Sequence, residues 1–139
     1  MKKIKKIAFI GIGLINSSLA RDLNGKGFYK KSVAFSRTEK TRNILKKLKI
    51  VDKVEDNYEK TVKDADIVII GVPVKAFASV IKKISYHLKP GAIVTDVGSV
   101  KKSLVQFSEK TLPKSVDFIP GHPIAGTENS GPEAGFKGL

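Results

Sequence analysis

The sequence predicts an α/β fold, a parallel sheet with helices on both faces. Three observations carry that expectation. Short apolar runs alternate with longer stretches of helical periodicity along the whole chain. The first run ends directly in a glycine-rich turn, Gly11-Ile12-Gly13-Leu14-Ile15-Asn16, that opens a helix. The last stretch, Gly121 to Leu139, holds five glycines and two prolines beside polar residues, as loops at the functional end of such a sheet do.

In chain order, Ile7-Ala8-Phe9-Ile10 has the character of a buried parallel strand. Leu14 to Leu23 is helical, and Gly25 and Gly27 close that helix. Val33-Ala34-Phe35 is a second strand, followed by a helix from about Thr38 to Leu48. A weaker helical stretch from Tyr58 to Lys63 leads to Ile67-Val68-Ile69-Ile70, the strongest strand in the chain. Lys75 to Leu88 is amphipathic, with Phe77, Val80, Ile81 and Ile84 on one face. Pro90-Gly91 turns into the strand Ala92-Ile93-Val94-Thr95, Ser99 to Leu112 is helical, and Phe118-Ile119 begins a last strand.

Composition bounds what such a fold can be. The 139 residues make one ordinary domain, with 41% hydrophobic and 28% charged residues. No apolar run reaches the roughly 18 residues of a membrane span, and the charged start Met1-Lys2-Lys3-Ile4-Lys5-Lys6 lacks a long apolar continuation, so no signal sequence is expected. The absence of cysteine excludes disulfides, thiolate metal sites and a cysteine nucleophile, and is compatible with the cytoplasm, the expected location. No metal site is expected.

The net charge of +13 suggests nucleic acid, but its texture does not. Only Arg21, Arg37 and Arg42 are arginines, and the lysines come singly or in pairs between apolar positions. A nucleic-acid binder clusters its basic residues and interleaves aromatics. A solvated surface that favours anionic small molecules is the expectation, with neither nucleic acid nor membrane as partner.

The glycine turn sits in the context a dinucleotide site demands, after a strand, opening a helix, within a strand–helix–strand unit of about thirty residues. That predicts a Rossmann-type doubly wound sheet. Gly11 allows the tight turn and Gly13 the approach of a pyrophosphate to the helix amides, with Leu14, Ile15 and Asn16 as further candidate contacts. Asn16 stands where a third glycine is usual, which implies looser packing or a polar contact to phosphate. A strand–turn–helix joint without nucleotide is the plainer alternative. About twenty residues on, where an acidic residue would hold the ribose diol of NAD, stand Ser36-Arg37-Thr38. These fit the 2′-phosphate of NADP, with NAD as second choice. Ser36 as helix cap, with Glu39 completing a capping box, is the structural alternative.

Two further segments, Asp96-Val97-Gly98-Ser99-Val100-Lys101 and the stretch GHPIAGTENSG from Gly121 to Gly131, each follow a strand. Together with Gly11 to Leu19 and Val72-Pro73-Val74, in this order, the chain resembles the prephenate and arogenate dehydrogenases of tyrosine biosynthesis. The resemblance implies NAD(P)-dependent oxidative decarboxylation of prephenate or arogenate. It implies that His122 takes the proton of the ring hydroxyl as hydride leaves, a task that suits a neutral imidazole. It also implies that Ser99 bonds that hydroxyl or His122, that Thr127 and Glu128 line the substrate entrance, and that Val72 and Pro73 flank the cofactor. Members of the family continue into a helical domain that supplies a dimer interface and a substrate-clamping arginine. The 139 residues are therefore expected to be an NAD(P)-binding domain, incomplete at its C-terminal end and inactive alone, and a homodimer is expected only with that helical part.

Plainer roles exist for each residue. His122 could be a loop hydrogen-bonder, Ser99 a helix cap, Glu128 a solvated acid, and His87 belongs to the surface. Another small dehydrogenase or imine reductase of this fold is the alternative enzyme, and a nucleotide-binding module without catalysis the alternative class.

Overall fold

The computed structural model describes residues 3–139; Met1 and Lys2, the start of the charged N-terminal run, lie outside the described residues. The elements run β1 (Ile4–Ile10), α1 (Leu14–Leu23), β2 (Tyr29–Phe35), α2 (Glu39–Leu48), β3 (Lys53–Glu55), α3 (Tyr58–Val62), β4 (Ile67–Ile70), α4 (Val74–Ser85), β5 (Ile93–Asp96), α5 (Lys102–Thr111) and β6 (Asp117–Ile119). A 3₁₀ turn at Pro132–Ala134 follows. All six strands pair in parallel in the order β3-β2-β1-β4-β5-β6, the doubly wound arrangement of dinucleotide-binding sheets.

Alternation along the central strands builds two cores. Ala8 and Ile10 of β1, with Val68 and Ile70 of β4, join Val62, Phe77, Val80, Ile81, Ile84 and Leu104 from α3, α4 and α5 on one face. Ile7, Phe9 and Ile69 face the other way, against Ala20 of α1 and Leu45 of α2. Helices therefore cover both faces, and each fully buried Ile or Phe contributes about 1.5–3 kcal/mol of transfer free energy. No helix among the described residues is long and apolar enough to cross a membrane.

The structure moves several sequence-based boundaries. β1 starts at Ile4 rather than Ile7, pairing Ile4 with Tyr29 and Lys6 with Lys31 of β2, and the side chain of Lys6 is also held from outside the sheet. Its ammonium donates to the carbonyls of Lys60 (3.1 Å) and Lys63 (2.7 Å) at the end of α3, and burial, then the nearby Lys31, lowers its pKa. β3 was not anticipated, since two of its three residues are charged; the Lys53–Glu55 ion pair at 2.6 Å covers Glu55, which is buried. α4 ends at Ser85 rather than Leu88, β5 runs one residue later than expected, and α5 begins at Lys102 rather than Ser99.

The chain end folds back. After β6 it crosses the carboxyl edge of the sheet and lies along α1. There Arg21 Nη2 donates to the Pro132 carbonyl (3.1 Å), Ser18 Oγ accepts from Phe136 N (3.0 Å), and the Asp22 carboxylate accepts from Gly138 N (3.1 Å).

Candidate functional site

The glycine turn has the form an anion site needs. Gly11 adopts φ +82°, and a Cβ there would lie 2.7 Å from the Gly71 carbonyl, so only glycine fits. Gly13 caps α1 without any side-chain hydrogen bond, and a Cβ placed on it would meet nothing within 4 Å. The first-turn amides of Leu14 and Ile15 make no backbone hydrogen bond among the described residues and stand at the positive end of the helix. A pyrophosphate fits this cradle.

Asn16 does neither of the things its position suggested. Its side chain is buried, donates through Nδ2 to the Gly11 carbonyl at 2.8 Å, and faces Gly71, where a Cβ would stand 2.5 Å from Nδ2. The glycine has moved to the facing strand end. Packing stays close, and the amide ties the turn rather than reaching outward.

Beside the turn lies a cleft of about 230 Å³ whose walls include Gly11, Ser36, Arg37, Tyr58, Val72 and Pro73. Phe35 and Tyr58 stack at its base, ring centroids 4.0 Å apart. Burial raises the Tyr58 pKa, and Arg37 nearby opposes the shift. Ser36 is not a helix cap: α2 is capped by Thr38, whose hydroxyl accepts from Thr41 N at 3.3 Å. Ser36 is instead buried and pinned in the β2–α2 turn, its N–H donating to the Glu55 carbonyl and its carbonyl accepting from Arg42 Nη1. Arg42 also reaches the Arg37 carbonyl at 2.9 Å, which sets the backbone that carries the exposed Arg37. Sequence reasoning missed both Tyr58 and Arg42. Tyr58 depends on the unanticipated β3, and Arg42 stands one helical turn after Thr38, a spacing that could have flagged it.

Across the sheet edge, Ser99 and His122 are both exposed on loops, after β5 and β6 respectively. Ser99 does not cap α5, since Lys101 occupies that position. Between the two loops lies Asp96, which sequence reasoning also passed over. Its carboxylate is buried, accepts from Gly98 N (2.9 Å) and Gly121 N (3.3 Å), and pairs with Lys101 Nζ. Thr127 and Glu128 are exposed further along the His122 loop, with Thr127 Oγ1 accepting from Asn129 N at 3.2 Å. Pro123 and Ala125 of that loop share a cavity of about 190 Å³ with Ile15 and Val97. The His122 loop therefore runs beside the first turn of α1. A wider surface groove of about 490 Å³ includes Tyr58, Lys83, Tyr86 and the half-buried His87, and apart from the edge of Tyr58 it contains no part of this site. Among the described residues no cluster of three or more histidine or acidic side chains is placed to hold a metal.

The fold and this edge define a dinucleotide-binding α/β domain with a second loop system laid over the cradle. Comparison with known proteins narrows that class. Residues 19–139 match the family described as prephenate dehydrogenase, nucleotide-binding domain, and the chain belongs to that family. It is 38% identical over 139 residues to the cyclohexadienyl dehydrogenase of Zymomonas mobilis, covering all of this chain and 47% of that protein. It is 38% identical to the prephenate dehydrogenase of Lactococcus lactis over 92% of this chain and 36% of that protein. The structure superposes on A. aeolicus prephenate dehydrogenase in complex with hydroxyphenyl propionate and NAD+ with a TM-score of 0.86 at 34% identity, covering 97% of this chain and 47% of that one. For Synechocystis arogenate dehydrogenase the TM-score is 0.85 at 32% identity, over 95% of this chain and 45% of that one. The chain spans about half or less of the length of these relatives.

Proposed function

We propose that residues 1–139 form the NAD(P)-binding unit of a dehydrogenase that oxidatively decarboxylates prephenate or arogenate, and that they carry its catalytic histidine. The observation behind this reading is the convergence at the sheet's carboxyl edge. The loop bearing His122 runs beside Ile15, in the first turn of α1, which has no side-chain cap and would hold the pyrophosphate. Family membership supplies the reaction class, and the cradle at Gly11 and Gly13 fits the cofactor.

The bound dinucleotide supplies the hydride acceptor. Gly13, Leu14 and Ile15 would present backbone to its phosphates, Gly11 makes the tight turn that lets them do so, and Val72 and Pro73 line the cleft beside Gly11. His122 accepts the proton of the ring hydroxyl through an imidazole nitrogen as hydride leaves the carbon bearing it. The C–O bond becomes a carbonyl. The carbon–carboxylate bond then breaks, its electrons enter the ring, CO2 departs, and the resulting phenolate takes the proton back from His122. Ser99 holds the hydroxyl or the imidazole in line. Thr127 and Glu128 stand at the entrance. Arg37 meets the 2′-phosphate of NADP, the preferred cofactor in this reading.

Substituting His122→Asn in the complete polypeptide should lower kcat by roughly two to four orders of magnitude with cofactor affinity little changed. Near-normal kcat in that variant removes the role. The 139 residues by themselves should bind cofactor without turnover, because orientation accounts for an effective molarity of about 10⁵ M or more. NADPH production by the purified chain would overturn that expectation.

A further inference from the structure

We infer that Asp96 is a positioning residue for this reaction, one buried carboxylate that holds together the two loops presenting Ser99 and His122; the inference rests on the roles proposed above for that pair. The parallel ladder between β5 and β6 ends at the pair Thr95 and Ile119. Beyond it the strands diverge into separate loops, and the Asp96 side chain takes over the work of the ladder. Oδ2 accepts from Gly98 N at 2.9 Å and Oδ1 accepts from Gly121 N at 3.3 Å. Each of these amides belongs to the residue immediately before a candidate catalytic group, Gly98 before Ser99 and Gly121 before His122.

The glycines record how tight this arrangement is. A Cβ on Gly98 would lie 3.0 Å from Asp96 Oδ2. On Gly121 it would lie 2.4 Å from the Asp96 carbonyl oxygen and 3.3 Å from Thr95 Oγ1. Both loops are pressed onto the end of β5, and a side chain at either glycine would push its neighbour away.

Stability alone is a poor reason for such a group. Asp96 is 2% exposed, and removing a carboxylate and an ammonium from water is costly enough that an apolar pair of similar volume often serves the fold as well. A carboxylate does what an apolar residue cannot. It accepts from two loops on two separate oxygens, while Lys101 neutralises it from the same loop as Ser99. Asn has one acceptor oxygen, which belongs where Gly98 N and Lys101 Nζ converge, so its NH2 group would face Gly121 N and the Lys101 ammonium would lose its counter-charge.

Two measurements test the inference. In the complete polypeptide, Asp96→Asn should lower kcat about tenfold to hundredfold, as a displacement of about 1 Å at reacting groups does, with cofactor affinity within about twofold. In a background carrying both Ser99→Ala and His122→Asn the same change should have almost no further effect, because Asp96 acts through the two residues already lost. Gly121→Ala, which keeps the Asp96 carboxylate and Lys101 while its Cβ forces the His122 loop and the Asp96 carbonyl apart, should reproduce both results and serves if Asp96→Asn does not fold. An equal loss in both backgrounds would overturn the inference, since it would make Asp96 a general stabiliser. Normal kcat in His122→Asn alone would instead sink the underlying functional reading. Independently of activity, amide hydrogen exchange on the 139-residue chain should show Gly121 N–H exchanging at least about tenfold faster in Asp96→Asn, with Phe9 and Ile69 unchanged. Unaltered protection of Gly121 would show that the carboxylate does not hold the loop, whatever the kinetics.

Discussion

Asn16 and Gly71 share one packing position. The Asn16 amide occupies the space in front of Gly71, so that a Cβ on Gly71 would stand 2.5 Å from Nδ2 and 2.9 Å from the amide carbon, while Nδ2 holds the Gly11 carbonyl at 2.8 Å. A close approach of helix to sheet needs one small residue, and this chain places it on the strand rather than on the helix. Gly71→Ala should therefore destabilise the protein by about 1–3 kcal/mol through overpacking. Asn16→Ala should destabilise it by about 1–3 kcal/mol, through a lost hydrogen bond and a cavity. The double variant should lose less than the sum, by at least about 0.5 kcal/mol, since each change relieves the other. Urea unfolding of the four proteins measures this, and strict additivity would show that the two residues do not share the space.

Gly135 makes the closest approach in the returning chain end. A Cβ there would lie 1.9 Å from Ser17 Oγ and 2.8 Å from Ser18 N, and the latter, being backbone, cannot move aside. Gly135→Ala should lift this segment from α1. Exchange of the Phe136 amide, held by Ser18 Oγ at 3.0 Å, should rise by about tenfold or more while β1 amides keep their protection. Unchanged exchange at Phe136 would mean that the segment is held from elsewhere.

What could be read from the sequence follows the range of the interactions involved. β4 was plain because Ile67 to Ile70 are four apolar residues in succession. The glycine turn was plain because its residues act within six positions of one another. β3 was hidden because Lys53 and Glu55 neutralise each other only once the backbone is extended. The early start of β1 was hidden because Lys6 is accommodated by carbonyls more than fifty positions away. Asp96 escaped for the same reason: one of its partners, Gly121, is 25 residues distant, and an acidic residue at a strand end looks solvated until a second loop closes over it. His122, by contrast, stood out from its motif.

Asp66 gives the fold a measurable dependence on acid. Its carboxylate accepts from the backbone of Lys5 (2.7 Å) and Lys6 (3.0 Å) and pairs with Lys89 at 2.5 Å, joining the starts of β1 and β4. The Lys89 hydrogen bond, helped by those two amides and opposed by burial, holds the carboxyl at about 2 against its usual 3.8. A folded-state value below the unfolded one means that the unfolded chain takes up the proton first as pH falls. The stabilisation is therefore complete above about pH 4 and is lost as pH drops toward about 2. Asp66→Asn should be less stable than the parent at pH 7, and the gap should narrow by pH 2.5, both measured by urea unfolding. A gap of constant size across that range would assign the effect to shape rather than charge.

Cofactor preference should follow Arg37. The turn after β2 has no carboxylate to bind a ribose diol or repel a 2′-phosphate, and the Arg37 backbone is set by Arg42 at 2.9 Å. Thr38 is occupied as the cap of α2, so the guanidinium rather than the flanking hydroxyls is the group to meet the phosphate. A 2′-phosphate brings close to two negative charges, and a forked guanidinium can donate two charge-assisted hydrogen bonds to it. At roughly 1.5–3 kcal/mol each before losses to solvent, these support a tenfold to hundredfold preference for NADPH over NADH. The overall positive charge favours both cofactors but is screened by salt, whereas a direct contact persists better. Titrating NADPH and NADH into the parent chain, Arg37→Ala and Ser36→Asp separates these contributions. Arg37→Ala should erase most of the preference while leaving NADH affinity nearly unchanged. Ser36→Asp should swing it toward NADH, by adding a diol acceptor and a charge that opposes the phosphate. Equal affinities in the parent, or a preference that survives the loss of Arg37, would refute the assignment and leave the phosphate end of the cleft without a reader.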